Sequence, residues 1–269
     1  MVFWQVMGQG PRRALAIHCS LSHSGALAAV SHALDDLLTI TAFDLPGHGQ
    51  SAAWDGPGEI QAESTAIAAD LLDGPADIIG HSFGATVALR LAVEHPHLVR
   101  SLILYEPVFF AVALADRPEL RAAHEAEMAD YSAGIARGDM AAAARAFLSV
   151  WGGGEAWETL PETLRARMAA QLPLIEAAAP ALYGDAGGML ASGALTRVTA
   201  PALLMEGARS PATIGAINDG LAARLPDTAR VRIKGAGHMG PVTHAGPVAA
   251  EIRAFLTPAR GVRRNQGSG

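Results

Sequence analysis

The chain is 269 residues long, half of them apolar, 17% charged and 5% aromatic, with a formal net charge of −6. That length can bury one large core or a core with an insertion, and the acidic balance gives no reason to expect a nucleic-acid partner. Cys19 is the only cysteine, which excludes an intramolecular disulfide and a thiolate metal cluster, and no stretch reaches the roughly 18 uninterrupted apolar residues of a membrane span.

Residues 14–18 read as a first short strand, followed by the polar turn His18-Cys19-Ser20-Leu21-Ser22-His23-Ser24-Gly25 and a helix over 26–37. The β-branched run 38–44 is the next strand. It stops at Leu45-Pro46-Gly47-His48-Gly49, a turn by its Pro and Gly content. A helix over 60–72 ends at Gly74-Pro75. The apolar strand around Ile78 and Ile79 then breaks at Gly80-His81-Ser82-Phe83-Gly84, and residues 85–94 resume with helical periodicity. Residues 97–105 form the following strand. Strands alternating with helices at short intervals predict an α/β fold: a mostly parallel twisted sheet with helices on both faces.

That rhythm stops after Glu106. Helices are expected over 119–136, 140–150, 161–170 and 174–182, with no strand between them. The α/β pattern returns with a strand at 201–206, a helix at 212–224, a strand at 229–234 and a helix at 247–256. The predicted organisation is a core of 1–107 and 197–258, an all-helical cap over 108–196, and a flexible tail at 259–269.

Strand, tight turn, helix with one hydroxyl at the tip of the turn is a nucleophile-presenting arrangement. Gly80 and Gly84 remove the Cβ atoms that would collide where strand and helix pass, so Ser82 can occupy a raised position. A serine hydroxyl needs a base. His238, on a glycine-rich loop leaving the last strand, is the first choice, with His244 in reserve. The base needs an acidic orienter. The loop Gly207-Ala208-Arg209-Ser210-Pro211 holds no carboxylate, so Glu106 at the end of the strand after the nucleophile helix is preferred, ahead of Glu206, Asp219 and Asp227. The backbone N–H of Phe83 supplies one oxyanion donor, and that of Ser20 the second, with Leu21 as its alternative. Cys19 reads as an inert buried thiol. Five histidines can gather near the sheet edge (His18, His23, His48, His81 and His238), yet no metal-ligand spacing appears, and the glycines do not spell a dinucleotide motif. No cofactor and no metal are expected.

Four stretches in order make the chain resemble the α/β-hydrolase superfamily, specifically its small single-chain members with a helical lid: His18-Cys19-Ser20-Leu21, Asp44-Leu45-Pro46-Gly47-His48-Gly49, Gly80-His81-Ser82-Phe83-Gly84, and Gly237-His238. The resemblance implies Ser82 as nucleophile, His238 as base, and the Ser20 and Phe83 amides as oxyanion hole. There are two departures. Cys19 stands where the family often has glycine, and Ser210 stands where the triad aspartate is usual. Some relatives place the acid after the strand following the nucleophile turn, where Glu106 lies, so the expectation is a working enzyme with a relocated acid and an idle Ser210. The expected reaction is acyl transfer from a small to medium hydrophobic ester, lactone or thioester. A carbon–carbon bond hydrolase of diketone products and a non-catalytic ligand-binding protein are the alternatives. With no signal-peptide pattern, a cytoplasmic, non-membrane protein is expected, and homodimerisation is left open.

Overall fold

Strands β1 (Trp4–Met7), β2 (Arg12–Ile17), β3 (Leu38–Phe43), β4 (Ala76–His81), β5 (Val99–Tyr105), β6 (Ala202–Gly207) and β7 (Thr228–Ile233) form one sheet in the order β1-β3-β2-β4-β5-β6-β7. This is a computed structural model, and it describes residues 1–54, 56, 58–154, 156–191 and 193–257. The expected tail at 259–269 lies outside the described residues. Every neighbouring pair is parallel except β1 with β3, where Trp4 lies opposite Phe43 in an antiparallel ladder. Strand β1 was not expected, because four residues with two exposed side chains carry too little alternation to read.

Helices α1 (Ala28–His32), α2 (Ile60–Asp70) and α3 (Phe83–Glu94) interleave with the early strands. Helices α4 (Phe110–Asp116), α5 (Leu120–Glu127), α6 (Ala129–Ala136), α7 (Met140–Trp151) and α8 (Glu162–Gly184) fill the interval between β5 and β6, and α9 (Ala212–Ala222), α10 (Gly240–Thr243) and α11 (Ala245–Leu256) complete the chain. Side chains alternate across the sheet with the period of a strand. Leu15, Leu102, Leu104 and Leu204 pack on one face with α2, α3 and α9, whereas Ala16, Ile103, Leu203 and Met205 pack on the other with α1 and α11. The doubly covered parallel sheet is therefore as expected.

The inserted region departs in detail. The helix expected over 119–136 is interrupted at Met128, and a further helix, α4, precedes it. The two helices expected over 161–170 and 174–182 are one, since α8 continues through Pro173 and Pro180. Both prolines lie on its exposed side, where the backbone carbonyls they leave unpaired can be solvated.

Away from the loops that follow the strands, β4 carries a fully buried carboxylate. Asp77 accepts from Arg12 on β2 at 3.0 and 2.8 Å and from the Ser101 hydroxyl on β5 at 2.8 Å, with Arg100 at 3.3 Å. Removing a partner from a buried charge costs more than the pair itself contributes. Arg12→Ala is expected to lower the unfolding free energy by about 3 kcal/mol in urea titration. An unchanged midpoint would show that Arg100 and Ser101 suffice.

Candidate active site

Four loops leave the carboxyl ends of β4, β5, β6 and β7, and each brings one polar side chain to the same place. Ser82 follows β4 at φ 57° and ψ −119°, a region that L-residues seldom enter. Its N–H donates to the Tyr105 carbonyl at 3.0 Å, and its own carbonyl accepts from Ala85 N at 3.0 Å. The glycines on either side make this turn fit. A Cβ on Gly80 would sit 2.5 Å from Ala85 Cα, and one on Gly84 would meet the carbonyls of Ile17 and His18 on the adjacent strand.

His238 Nε2 lies 2.9 Å from Ser82 Oγ, and His238 Nδ1 lies 2.8 Å from Glu106 Oε2. The three side chains are deeply buried, with relative exposures of 6% for Ser82, 6% for His238 and 0% for Glu106. Since a carboxylate oxygen only accepts, Nδ1 carries the proton and Nε2 is left to accept from the serine hydroxyl. The second oxygen of Glu106 is also occupied. Oε1 accepts from Gly207 N at 2.6 Å and from the Ser210 hydroxyl. This corrects the expectation of an idle Ser210: the residue standing where an aspartate is usual donates to the carboxylate delivered from β5.

The loop bearing His238 is held by its carbonyls. Tyr105 donates its hydroxyl to Gly237 O at 2.8 Å, and His81 donates Nε2–H to His238 O at 2.8 Å. Burial, and next the nearby His238, push the His81 ring down to about 3, so it stays neutral and donates without adding charge beside the base. His18 braces the turn that follows β2 in a similar way. Its Nε2 accepts from Leu45 N at 3.0 Å, which puts the proton on Nδ1, donated to Cys19 O at 2.7 Å; burial lowers this ring also to about 3. His81 and Tyr105 were missed as positioning groups, because only the fold shows that their strand ends face the 237–238 loop.

Ser20 lines the cavity beside Ser82 and His238, and its backbone N–H meets no acceptor among the described residues. Phe83 is the first residue of α3, where the N–H has no intrahelical acceptor. Leu21, the alternative donor, has φ 59°. Cys19 is buried, and burial pushes its thiol up to about 11, which keeps it an unreactive thiol.

The reserve candidates go elsewhere. Glu206 binds Asn218 Nδ2 at 2.9 Å with Arg230 at 3.5 Å, and Asp219 pairs with Arg117 at 2.7 Å and with Arg230. Asp227 precedes β7, at the opposite sheet edge from His238, and its carbonyl accepts from Ala202 N. His244 Nδ1 lies 2.8 Å from the Thr243 hydroxyl. Among the described residues no group of three His, Cys, Asp or Glu side chains could hold a metal ion, and no helix is long and apolar enough to cross a membrane.

The cavity above Ser82 and His238 is walled mainly by apolar side chains of the insertion, including Met128, Phe147, Trp151, Met168 and Leu182. The Trp151 ring stands edge-on to His238 with centroids 4.8 Å apart. The arrangement can present an imidazole nitrogen to a hydroxyl beside a mainly apolar cavity, a requirement for nucleophilic attack on a carbonyl.

Comparison with known proteins identifies the family and the fold. The profile of the Alpha/beta hydrolase family matches residues 14–251. A pimeloyl-[acyl-carrier protein] methyl ester esterase of Neisseria meningitidis is 33% identical over 238 residues, covering 84% of this chain and 72% of that protein. Lipase LipV of Mycobacterium tuberculosis is 43% identical over 108 residues, 39% of this chain and 40% of LipV. In structure, the chain is similar to a lipase-esterase related protein from Clostridium acetobutylicum, with a TM-score of 0.68, 17% identity, and coverage of 95% of this chain and 99% of that one.

The neutral histidines have a consequence for stability. Free in the unfolded chain they titrate near 6.5, but in the fold His18 and His81 do so only near 3. Between these values the unfolded state binds more protons, so stability falls as pH drops through that window, by at most about 1.4 kcal/mol per pH unit for each group. Urea midpoints measured from pH 7 to pH 4 should decline, and His81→Gln should decline less steeply than the parent. Parallel declines would count against a neutral His81.

Proposed function

Because the chain belongs to the α/β hydrolase family, with a family match that spans residues 14–251, we propose that it hydrolyses small to medium hydrophobic carboxylic esters through an acyl-serine at Ser82. The single observation that carries this reading is the continuous relay of Ser82, His238 and Glu106 at 2.9 and 2.8 Å, opening onto an apolar cavity. An acid within hydrogen-bond reach of His238 also weighs against the non-catalytic alternative. Residues 108–196 are assigned to the cap that shapes the cavity. Lactones and thioesters share the same carbonyl chemistry and fall within the proposed range. The Neisseria relative's methyl ester substrate is of the same chemical class.

In the first half-reaction Ser82 Oγ bonds to the ester carbonyl carbon while His238 Nε2 takes its proton. The oxyanion is held by the amides of Phe83 and Ser20, donors that cost no reorganisation when the charge develops. The alkoxy oxygen then leaves with the proton from Nε2. In the second half-reaction water bonds to the acyl carbon, gives a proton to Nε2, and the Ser82 ester bond breaks as that proton returns to Oγ. Throughout, Glu106 keeps the Nδ1 proton in place and stabilises the imidazolium.

The geometry around Glu106 makes its replacement informative. Gly207 N–H and Ser210 O–H both donate to Oε1. A glutamine at 106 must therefore keep its oxygen there and turn its NH2 toward His238, which drives the imidazole proton to Nε2 and blocks the base. Glu106→Gln should lower kcat by about 10³ to 10⁴-fold, and Ser210→Ala, which removes one hydrogen bond to a charged group, by about tenfold. Ser82→Ala should abolish both turnover of p-nitrophenyl esters and labelling by a fluorophosphonate. Retained labelling in Ser82→Ala, or equal mild losses in Glu106→Gln and Ser210→Ala, would overturn the assignment.

A further inference from the structure

Aromatic residues make up only 5% of this chain, yet five of them line one cavity. Phe110, Tyr131, Phe147, Trp151 and Tyr183 border a space of about 80 Å³ that opens on Ser82 and His238. They come from α4, α6, α7 and α8, so the fold gathers them from separate helices. The rings also brace one another, with Tyr131 and Phe147 5.7 Å apart and Phe147 and Trp151 6.5 Å apart. One carboxylate joins them. Glu176 on α8 lines the same cavity and accepts from the Tyr131 hydroxyl at 2.6 Å. Tyr131 is 7% exposed, whereas Glu176 and Tyr183 reach solvent, so the carboxylate stands at the rim and the buried Ser82 and His238 at the floor. Among the described residues no lysine or arginine lines this cavity, and no cationic side chain pairs with Glu176.

We propose that this cavity is a cation subsite, and that the ester taken by the enzyme carries an alkylated ammonium group seated among the aromatic rings beside Glu176. The reaction in this proposal rests on the ester-hydrolase reading above; the binding does not. Aromatic rings attract a cation through the negative face of the π system, and a carboxylate within a few ångströms adds attraction for a cation and repulsion for an acid. The two features therefore select the same charge. The apolar walls decide which kind of cation fits. A primary ammonium would give up its hydrogen bonds to water for walls that offer few acceptors, whereas an alkylated one has methyl groups to set against the rings.

The test compares esters that differ only in one terminal group: trimethylammonium, its neutral isostere tert-butyl, or a carboxylate. One series carries that group on the acyl side and a second on the alcohol side. In at least one series the ammonium ester should exceed the tert-butyl ester in kcat/KM by about tenfold, with the carboxylate ester slowest. High salt should narrow the gap, because the Glu176 carboxylate is exposed. Glu176→Gln removes the charge and keeps an acceptor for Tyr131; it should cut the preference about threefold. Glu176→Lys should put the carboxylate ester ahead of the ammonium ester. The parent series decides the matter should a variant not fold. Equal rates for ammonium and tert-butyl esters in both series, or a preference undiminished in both variants, overturn the subsite and leave the serine hydrolase reading standing. A parent with no ester turnover and no phosphonate on Ser82 overturns the hydrolase reading instead. Calorimetric titration with butyltrimethylammonium then decides the subsite: saturable binding that Glu176→Lys abolishes supports it, and no binding, or binding unchanged by that substitution, overturns it.

Discussion

A carboxylate with no exposure to solvent sits at the centre of this structure, and satisfying it determines where the loops around it lie. Glu106 accepts from an imidazole, a backbone amide and a hydroxyl, contributed by the loops after β7 and β6 and by β6 itself. An unpaired carboxylate there would cost several kcal/mol, so the three donors and the acceptor hold one another in register. The residue departs from ordinary backbone geometry to do this, at φ 48°. Ser82, at φ 57°, is the second positive-φ residue of the same cluster. Strain gathered where side chains converge is the expected signature of a site whose geometry is imposed by its surroundings.

Around that carboxylate the two histidines nearest His238 and the 18–21 turn are kept neutral by burial. His81 and His18 are also buried close to the cavity, yet burial depresses both, and each holds a backbone carbonyl through a neutral N–H. A second imidazolium beside His238 would oppose placing a proton on that ring. Neutral donors at the same positions brace the loops without that cost. Glu106 is the carboxylate in contact with His238, beneath a cavity whose walls are mainly apolar.

The cap contributes more than enclosure. Through Trp151 the inserted region meets the His238 ring, edge-on with centroids 4.8 Å apart, so the helix that walls the cavity also packs on that imidazole. Its aromatic side chains form a linked group, with Phe110 stacked against Tyr183 at 4.6 Å and against His124 at 4.5 Å.

The sequence by itself determined the sheet-and-helix rhythm, because strand and helix periods are local properties that a few residues declare. It also disclosed the strand–turn–helix that raises Ser82, since two glycines flanking one serine between a strand and a helix mark a close crossing of the two. Glu106 was legible because a carboxylate set among Tyr105, Pro107 and Val108 is costly to bury without a partner. What only the tertiary structure decided are relations between distant segments: that Ser210 donates to Glu106 across 104 positions, that His81 and Tyr105 grip the loop of His238, and that Trp151 stands over the His238 ring. Helix α8 running through two prolines belongs with these, because its continuity comes from packing against the core and not from local propensity. Such contacts depend on which loops share a sheet edge, and no local period or motif encodes that.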